Sequence, residues 1–220
     1  QQFILIDTAG IRRRANITNL IEKFSVNNTF YEIKNSDVCI LLIDSMDSIN
    51  KQDLLIAKKI LDFGKAIIIA LNKWDCVKNK LETRNKIVAR LKKSFSQSKY
   101  IKVNTVSAIK GEGVLNLLEE ISITYNRFNN RIQTNKLNKW FDYVVEKNPP
   151  PLVNGKKNSL RYITQVKSKP PAFVLFCTYP EKIIKSYVRF IENSLREEFD
   201  FVGLPIKIIL KKGKNPFIKN

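Results

Sequence analysis

The amino-acid sequence predicts an α/β fold in two parts, a parallel sheet with flanking helices followed by a smaller α+β domain. In the first 130 residues, apolar runs of strand length alternate with segments of helical periodicity. In residues 131–220 the order changes to helix, strand, strand, helix, strand. The chain has 220 residues, 44% of them hydrophobic, and at this size two domains are the better expectation.

Four apolar or β-branched runs in the first part predict strands, at residues 3–6, 37–44, 65–71 and 101–106. The spacing of apolar residues predicts helices over residues 53–63, 83–95 and 113–128. Gly64 is the expected stop signal of the first helix. Strands that alternate with helices pair in parallel, so we expect one parallel sheet.

A polar stretch at residues 129–131 predicts the boundary, which gives domains over residues 1–130 and 131–220. The second domain should begin with a helix over residues 134–146, with Thr134 and Asn135 as capping candidates and Pro149–Pro151 as its stop. The remaining elements are strands at 161–166 and 172–178, a helix at 181–199, and a strand at 206–210 before a basic tail.

The charge of the chain favours an anionic partner. The sequence contains 39 Lys and Arg against 20 Asp and Glu, a net charge of +19. Residues 131–220 hold 18 basic and 7 acidic side chains, or 18 − 7 = +11, and are the denser polycation. Such an excess attracts RNA or anionic lipid, although a merely solvated basic surface is the alternative.

Composition also excludes several kinds of chemistry. The sequence contains no histidine, which rules out Ser-His triads and His-ligated metals. The three cysteines, Cys39, Cys76 and Cys177, lie far apart in sequence, so neither a disulfide framework nor a zinc site is indicated. The apolar runs are too short to span a bilayer, and we expect a cytoplasmic protein without a membrane partner.

The first candidate motif is Asp7-Thr8-Ala9-Gly10, which directly follows the predicted strand at residues 3–6. This is the position of the DxxG element in P-loop GTPases, at the carboxyl end of a parallel strand. Asp7 would hold Mg²⁺ and the Gly10 amide would approach a γ-phosphate, which makes Gly10 the candidate catalytic residue. By itself this four-residue motif is weak evidence for a nucleotide site, since such turns often occur for structural reasons.

The second and third motifs follow the next predicted strands. Asn72-Lys73-Trp74-Asp75 has the form NKxD, in which the Asp75 carboxylate accepts the N1 and N2 hydrogens of guanine. Lys73 can lie over the base and Asn72 can brace neighbouring loops. Ser107 and Ala108 can contact the guanine keto oxygen through their backbone. The alternative for each motif is an ordinary turn, but their order along the chain favours a guanine-nucleotide domain.

The amino-acid sequence of these segments resembles that of the second GTPase domain of the Der (EngA) family. The matching stretches are DTAGIRRR at residues 7–14, EKFSV at 22–26, LNKWD at 71–75 and SAIKGEGV at 107–114. Residues 148–181 and 194–208 are similar to the KH-like domain of that family. The resemblance implies a partial P-loop GTPase followed by an α+β KH-like domain. It also implies GTP or GDP and Mg²⁺ as ligands, and a role with rRNA in assembly of the large ribosomal subunit.

The sequence departs from the family pattern in several places. It contains no GxxxxGK[ST] loop, its switch I threonine cannot be placed, and the first GTPase domain is missing. We expect these parts to lie upstream, where the missing domain would contact this chain. The alternative is a nucleotide-independent RNA-binding module with a degenerate GTPase half. A membrane-surface role for the basic tail is a distant third, because no amphipathic anchor accompanies it.

Two further features bear on mechanism and on RNA binding. Ile11 stands where Ras-like enzymes have the glutamine that orients water, so we expect slow hydrolysis or another arrangement, such as one assisted by K⁺. Arg12–Arg14 would contact RNA or a neighbouring domain, or form a solvated loop. The KH-like domain has no GxxG clamp, which favours electrostatic or interdomain contact over sequence-specific reading of single-stranded RNA. Trp140, Phe141 and Tyr143 are expected in the core or an interface rather than stacked on bases.

Overall fold

A computed structural model describes residues 2–8, 29–47, 49–94, 101–152, 155 and 157–213. The chain divides into two compact units, Gln1–Tyr125 and Asn126–Asn220. Each unit contains its own three-stranded sheet. The predicted α/β class is confirmed.

The sheet of the first unit is parallel, in the order β1 (Val38–Asp44), β2 (Ala66–Asn72), β3 (Lys102–Thr105). β2 lies in the centre, and its residues from Ala66 to Leu71 are completely buried. A parallel strand covered on both faces has no solvent-facing side, which explains its continuous apolar sequence. Ile67, Ile69 and Leu71 pack into one core cluster, and Ile68 and Ala70 pack into the other.

Three helices accompany this sheet: α1 (Lys51–Asp62), α2 (Lys80–Ser94) and α3 (Val114–Asn129). Residues 29–35 are also helical. α1 begins two residues before the predicted start, because Asn50 and Asp53 form a capping box. The stop signal at Gly64 is confirmed: this glycine has a φ of +72°, and its N–H donates to the Leu61 carbonyl.

The strand predicted at residues 3–6 does not form. This segment is extended but outside the sheet, and its two central side chains, Ile4 and Leu5, are 93% and 86% exposed. A strand is stable only when a neighbour satisfies its backbone groups and covers its apolar face. Within the described part of the chain, neither condition is met for this segment.

The second unit contains helix α4 (Thr134–Lys147), strands β4 (Leu160–Lys167) and β5 (Ala172–Cys177), helix α5 (Lys185–Glu198) and strand β6 (Lys207–Lys212). The predicted order of elements is confirmed. β5 is central, antiparallel to β4 and parallel to β6. Trp140 and Phe141 lie in the core, as expected, whereas Tyr143 is 61% exposed and carries the Lys147 ammonium over its ring.

Side-chain amides fasten the second unit together. Asn138 of α4 donates to the Ile163 carbonyl and accepts from the Ile163 N–H. Its side chain therefore satisfies both backbone groups that Ile163 presents at the edge of β4. Gln165 likewise joins Ile132 and Asn130. Asn138 takes the place of a neighbouring strand at the edge of the sheet, whereas Gln165 satisfies backbone groups of the segment that precedes α4.

Two helix starts in the second unit differ from the prediction. Neither Thr134 nor Asn135 caps α4: the cap residue is Gln133, without a side-chain hydrogen bond. The bond between the Ile132 N–H and Gln165 fixes the chain just before this point. α5 begins at Lys185 rather than 181, because Pro180–Lys182 form a separate 3₁₀ turn.

Among the residues that the structure describes, no helix combines the length and apolar character required to cross a membrane.

Candidate functional site

The predicted NKxD and Ser-Ala motifs meet at one edge of the first sheet. Asn72 ends β2, and Ser107 follows two residues after the end of β3. Because the strands are parallel and in register, with Leu71 opposite Thr105, their carboxyl ends lie side by side. Residues from loops far apart in sequence therefore share this edge.

Asn72 joins the loops at this edge. Its side-chain Oδ1 accepts a hydrogen bond from the Ala108 N–H at 3.1 Å. Its backbone carbonyl accepts from the Ser45 N–H, after β1, at 2.9 Å. The bracing role predicted for Asn72 agrees with these contacts, which fix the loops after all three strands relative to one another.

Lys73 adopts a left-handed backbone conformation with φ of +60°. This conformation is uncommon for a residue with a Cβ, and it turns the chain sharply at the end of β2. A 3₁₀ turn over Trp74–Cys76 follows and presents Asp75. The Lys73 ammonium lies 2.6 Å from Oδ2 of Asp44.

Asp75 carries an ionised carboxylate at neutral pH. A hydrogen bond from the Ser107 hydroxyl is the main cause that lowers the pKa of Asp75, and attraction by Lys110 adds to it. A charged carboxylate can only accept hydrogen bonds, and its two oxygens can receive two parallel N–H groups. The Asp75 carboxylate can therefore accept hydrogen bonds from two adjacent donors.

Hydrogen bonds of both the backbone and the side chain of Ser107 fix the loop that follows β3. The Ser107 N–H donates to the Glu112 carbonyl at 2.9 Å, and the Ser107 hydroxyl accepts from the Lys110 N–H at 3.3 Å. Gly113 closes the loop with φ of +74°, and a Cβ at this position would collide with the Thr105 carbonyl oxygen. Only glycine satisfies both conditions, since the positive φ also disfavours other residues.

The first motif is less well defined. Asp7 is exposed and Thr8 is partly buried, in the extended segment outside the sheet. Ala9 and Gly10 lie outside the described residues, as do Ile11 and residues 12–14. Within the described part of the chain, no group of three or more acidic or cysteine side chains could hold a metal ion. The roles of Asp7 and Gly10 stay predictions.

The structure adds two residues that the motifs did not indicate. Asp44 pairs in register with Asn72 and contacts Lys73, and Gly113 shapes the Ser107 loop. A signal for Asp44 was present in the sequence: it is an acidic residue at the end of an apolar run, and such ends meet at one edge of a parallel sheet. Gly113 lies in the SAIKGEGV stretch at residues 107–114, but the steric reason for a glycine there depends on the position of Thr105.

Comparison with known proteins agrees with this arrangement. Residues 2–126 match the family described as the elongation factor Tu GTP binding domain. Residues 131–211 match the KH-domain-like region of EngA bacterial GTPase enzymes, C-terminal.

Similar proteins include two curated relatives named GTPase Der. That of Rhodopseudomonas palustris (strain BisA53) is 37% identical over 217 residues, covering 99% of this chain and 47% of the relative. That of Bradyrhizobium sp. (strain BTAi1) is 38% identical over 215 residues, covering 98% and 47%. The chain thus spans about half the length of the curated relatives it matches.

Among solved structures, the chain is similar to Aquifex aeolicus Era bound to GDP and aluminium fluoride, with a TM-score of 0.46 and 17% identity. That match covers 94% of this chain and 74% of the Era chain.

Proposed function

Because the chain belongs to the Der (EngA) family of GTPases, we propose that its first unit supplies the guanine-binding half of a GTP site. The proposed ligands of the base are Asn72, Lys73, Asp75, Ser107 and Ala108. From the length of the curated relatives we infer that this chain is part of a longer protein, called the full-length protein below. For the full-length protein we propose a GTP-hydrolysing factor required for assembly and stability of the large ribosomal subunit. The proposed place of action is the cytoplasm.

One observation carries the guanine assignment: the Asp75 carboxylate, hydrogen-bonded by Ser107, lies beside a loop that Asn72 fixes through the Ala108 N–H. Guanine offers two adjacent donors, N1–H and the 2-amino group, to such a carboxylate. Adenine offers an acceptor at N1 and leaves the carboxylate without its partners, which disfavours it strongly. The site is therefore proposed to discriminate guanine from adenine.

We propose that the phosphate end of the nucleotide is served by Asp7, Thr8, Ala9 and Gly10, together with a P-loop from the rest of the longer protein. Asp7 has the oxygen ligand that Mg²⁺ prefers, and this ion typically uses one or two carboxylates along with water and phosphate oxygens. The ion would offset the charge that develops on the transferred phosphate. In this proposal Gly10 contacts the γ-phosphate through its amide, and a K⁺ ion is a candidate aid because Ile11 cannot orient water.

Nucleotide binding tests the guanine assignment. The full-length protein should bind GTP and GDP, whereas ATP should bind at least about a thousandfold more weakly because its base leaves Asp75 unpaired. The 220-residue chain alone should bind GTP very weakly, since it contains no phosphate-binding loop. Isothermal calorimetry measures both. Equal affinity of the full-length protein for GTP and ATP would instead favour the nucleotide-independent RNA-binding module.

We propose that residues 131–220 form the KH-like domain of the family and contact rRNA, and that residues 1–130 form the partial GTPase domain. Its net charge of +11 and its exposed lysines Lys157, Lys211 and Lys212 support an electrostatic mode of binding. Lys156, expected to take part as well, lies outside the described residues. We also propose that the first unit contacts a further GTPase domain located upstream in the full-length protein.

This electrostatic mode predicts a strong dependence of RNA affinity on salt. Changing Lys157, Lys211 and Lys212 together to alanine should flatten the slope of log affinity against log salt by up to about three units, roughly one for each phosphate that is no longer neutralised. Filter binding of an rRNA fragment and a scrambled fragment across a salt series measures the slope. The matched control changes the same three residues to arginine, which keeps the charge and should keep the slope. An unchanged slope in the alanine variant, with preference for one sequence, would contradict the electrostatic mode.

A further inference from the structure

Asp44, which belongs to none of the motifs, makes a polar contact with the candidate site. It ends β1 directly opposite Asn72, and its Oδ2 lies 2.6 Å from the Lys73 ammonium. The Asp44 side chain is 12% exposed, while that of Lys73 is 52% exposed. The carboxylate is thus anchored at the sheet edge and holds a lysine that is open to solvent.

The orientation of the Asp44 carboxylate is fixed by its own turn. Its second oxygen, Oδ1, accepts a hydrogen bond from the Met46 N–H at 3.0 Å. Between these residues, the Ser45 N–H donates to the Asn72 carbonyl at 2.9 Å. The turn after β1 is therefore bonded both to the backbone just before Lys73 and to its side chain.

This arrangement restricts Lys73 before any ligand binds. A lysine side chain has four rotatable bonds, and binding normally loses their freedom. Here the backbone of Lys73 is fixed in a left-handed turn and its ammonium is fixed by Asp44. Because half of the Lys73 side chain is exposed, the ion pair contributes little to the stability of the fold. We therefore expect the ion pair to affect the affinity for a ligand that contacts Lys73.

We propose that Asp44 is a positioning residue for the guanine nucleotide, acting through Lys73. It orders the lysine in the unliganded site, so that binding the base loses less conformational freedom. The inference rests on the proposed guanine site and adds to it a residue that touches neither base nor phosphate. Asp44 should therefore affect nucleotide affinity and leave the chemical step unchanged.

The test compares Asp44→Asn with Asp47→Asn in the full-length protein. Asp47 lies exposed in the same turn, so its replacement removes the same charge without touching the ion pair. Asp44→Asn should weaken GDP and GTP binding about tenfold, with kcat at saturating GTP within twofold of wild type. Asp47→Asn should change neither, and Asp44→Glu, which keeps the charge, should recover part of the affinity.

A double-mutant cycle separates positioning from a general structural effect. If Asp44 acts through Lys73, Asp44→Asn should cause no further loss of affinity in a Lys73→Met background. A full additional tenfold loss there would overturn the proposal, as would wild-type affinity of Asp44→Asn alone. NMR relaxation of the Lys73 side chain provides a measurement without nucleotide: its order should fall in Asp44→Asn and not in Asp47→Asn. An unchanged order in Asp44→Asn would also overturn the proposal.

Two outcomes distinguish the absence of a role for Asp44 from the absence of a guanine site. A full-length protein that prefers GTP over ATP but tolerates Asp44→Asn retains the guanine site and loses only the role of Asp44. A protein without preference between GTP and ATP loses both.

Discussion

Replacing Asp75 with asparagine should change the full-length protein from a guanine to a xanthine preference. Xanthine keeps the N1–H donor but has a carbonyl in place of the 2-amino group. The asparagine amide can accept from N1–H and donate to that carbonyl, whereas the carboxylate of Asp75 cannot donate. A site that binds a base through buried hydrogen bonds discriminates by large factors, so the ratio of GTP to XTP affinity should shift by about 100- to 10,000-fold.

Competition between GTP and XTP for a fluorescent guanine nucleotide measures this shift. Glu119→Gln, which removes an exposed carboxylate from α3, is the matched control and should leave the ratio unchanged. Ser107→Ala should weaken GTP binding without reversing the preference, because it removes a hydrogen bond that orients the Asp75 carboxylate but leaves the carboxylate itself. An unchanged GTP preference in Asp75→Asn would remove Asp75 from its role, and the guanine assignment with it.

The largest expected effect on stability is that of Arg196→Met in the second unit. The Arg196 side chain is 1% exposed and pairs with Glu192 at 2.9 Å. It also donates to the carbonyls of Phe201 and Leu204, which lie in the segment between α5 and β6. Methionine fills similar volume but offers no donors, so two carbonyls and a largely buried carboxylate would be left without this partner. Breaking a buried pair on one side destabilises a protein by about 3–5 kcal/mol.

Urea unfolding of the chain, combined with hydrogen exchange of peptides that cover residues 185–206, measures this effect. Exchange should rise first in the segment after α5, since Arg196 joins it to the helix. Arg189→Met serves as the control, because Arg189 is an exposed arginine on the same helix. Equal stability of the two variants would show that Arg196 does not fasten this segment.

Most elements of the fold could be predicted because they depend on local sequence. The run from Ala66 to Leu71 is apolar at every position, which a central parallel strand requires and which few other elements tolerate. The positions of Asn72 and Ser107 beside one another followed from it, since parallel strands end at one edge. The meeting of the NKxD and Ser-Ala segments at one edge of the sheet was therefore predictable from the sequence.

The sequence by itself indicated most of the strands and helices and the positions of the motifs, since apolar spacing and turn residues are properties of neighbouring positions. The tertiary structure decided which of these elements find partners. Ile4 and Leu5 have strand-like sequence but lie outside the sheet. Asp44 contacts the candidate site because the Lys73 side chain lies against it. In the second unit, Arg196 is buried and donates to the carbonyls of Phe201 and Leu204, in a segment that follows its helix. Pairing, burial and charge contacts depend on residues distant in sequence, so their physical effects arise only once the chain has folded.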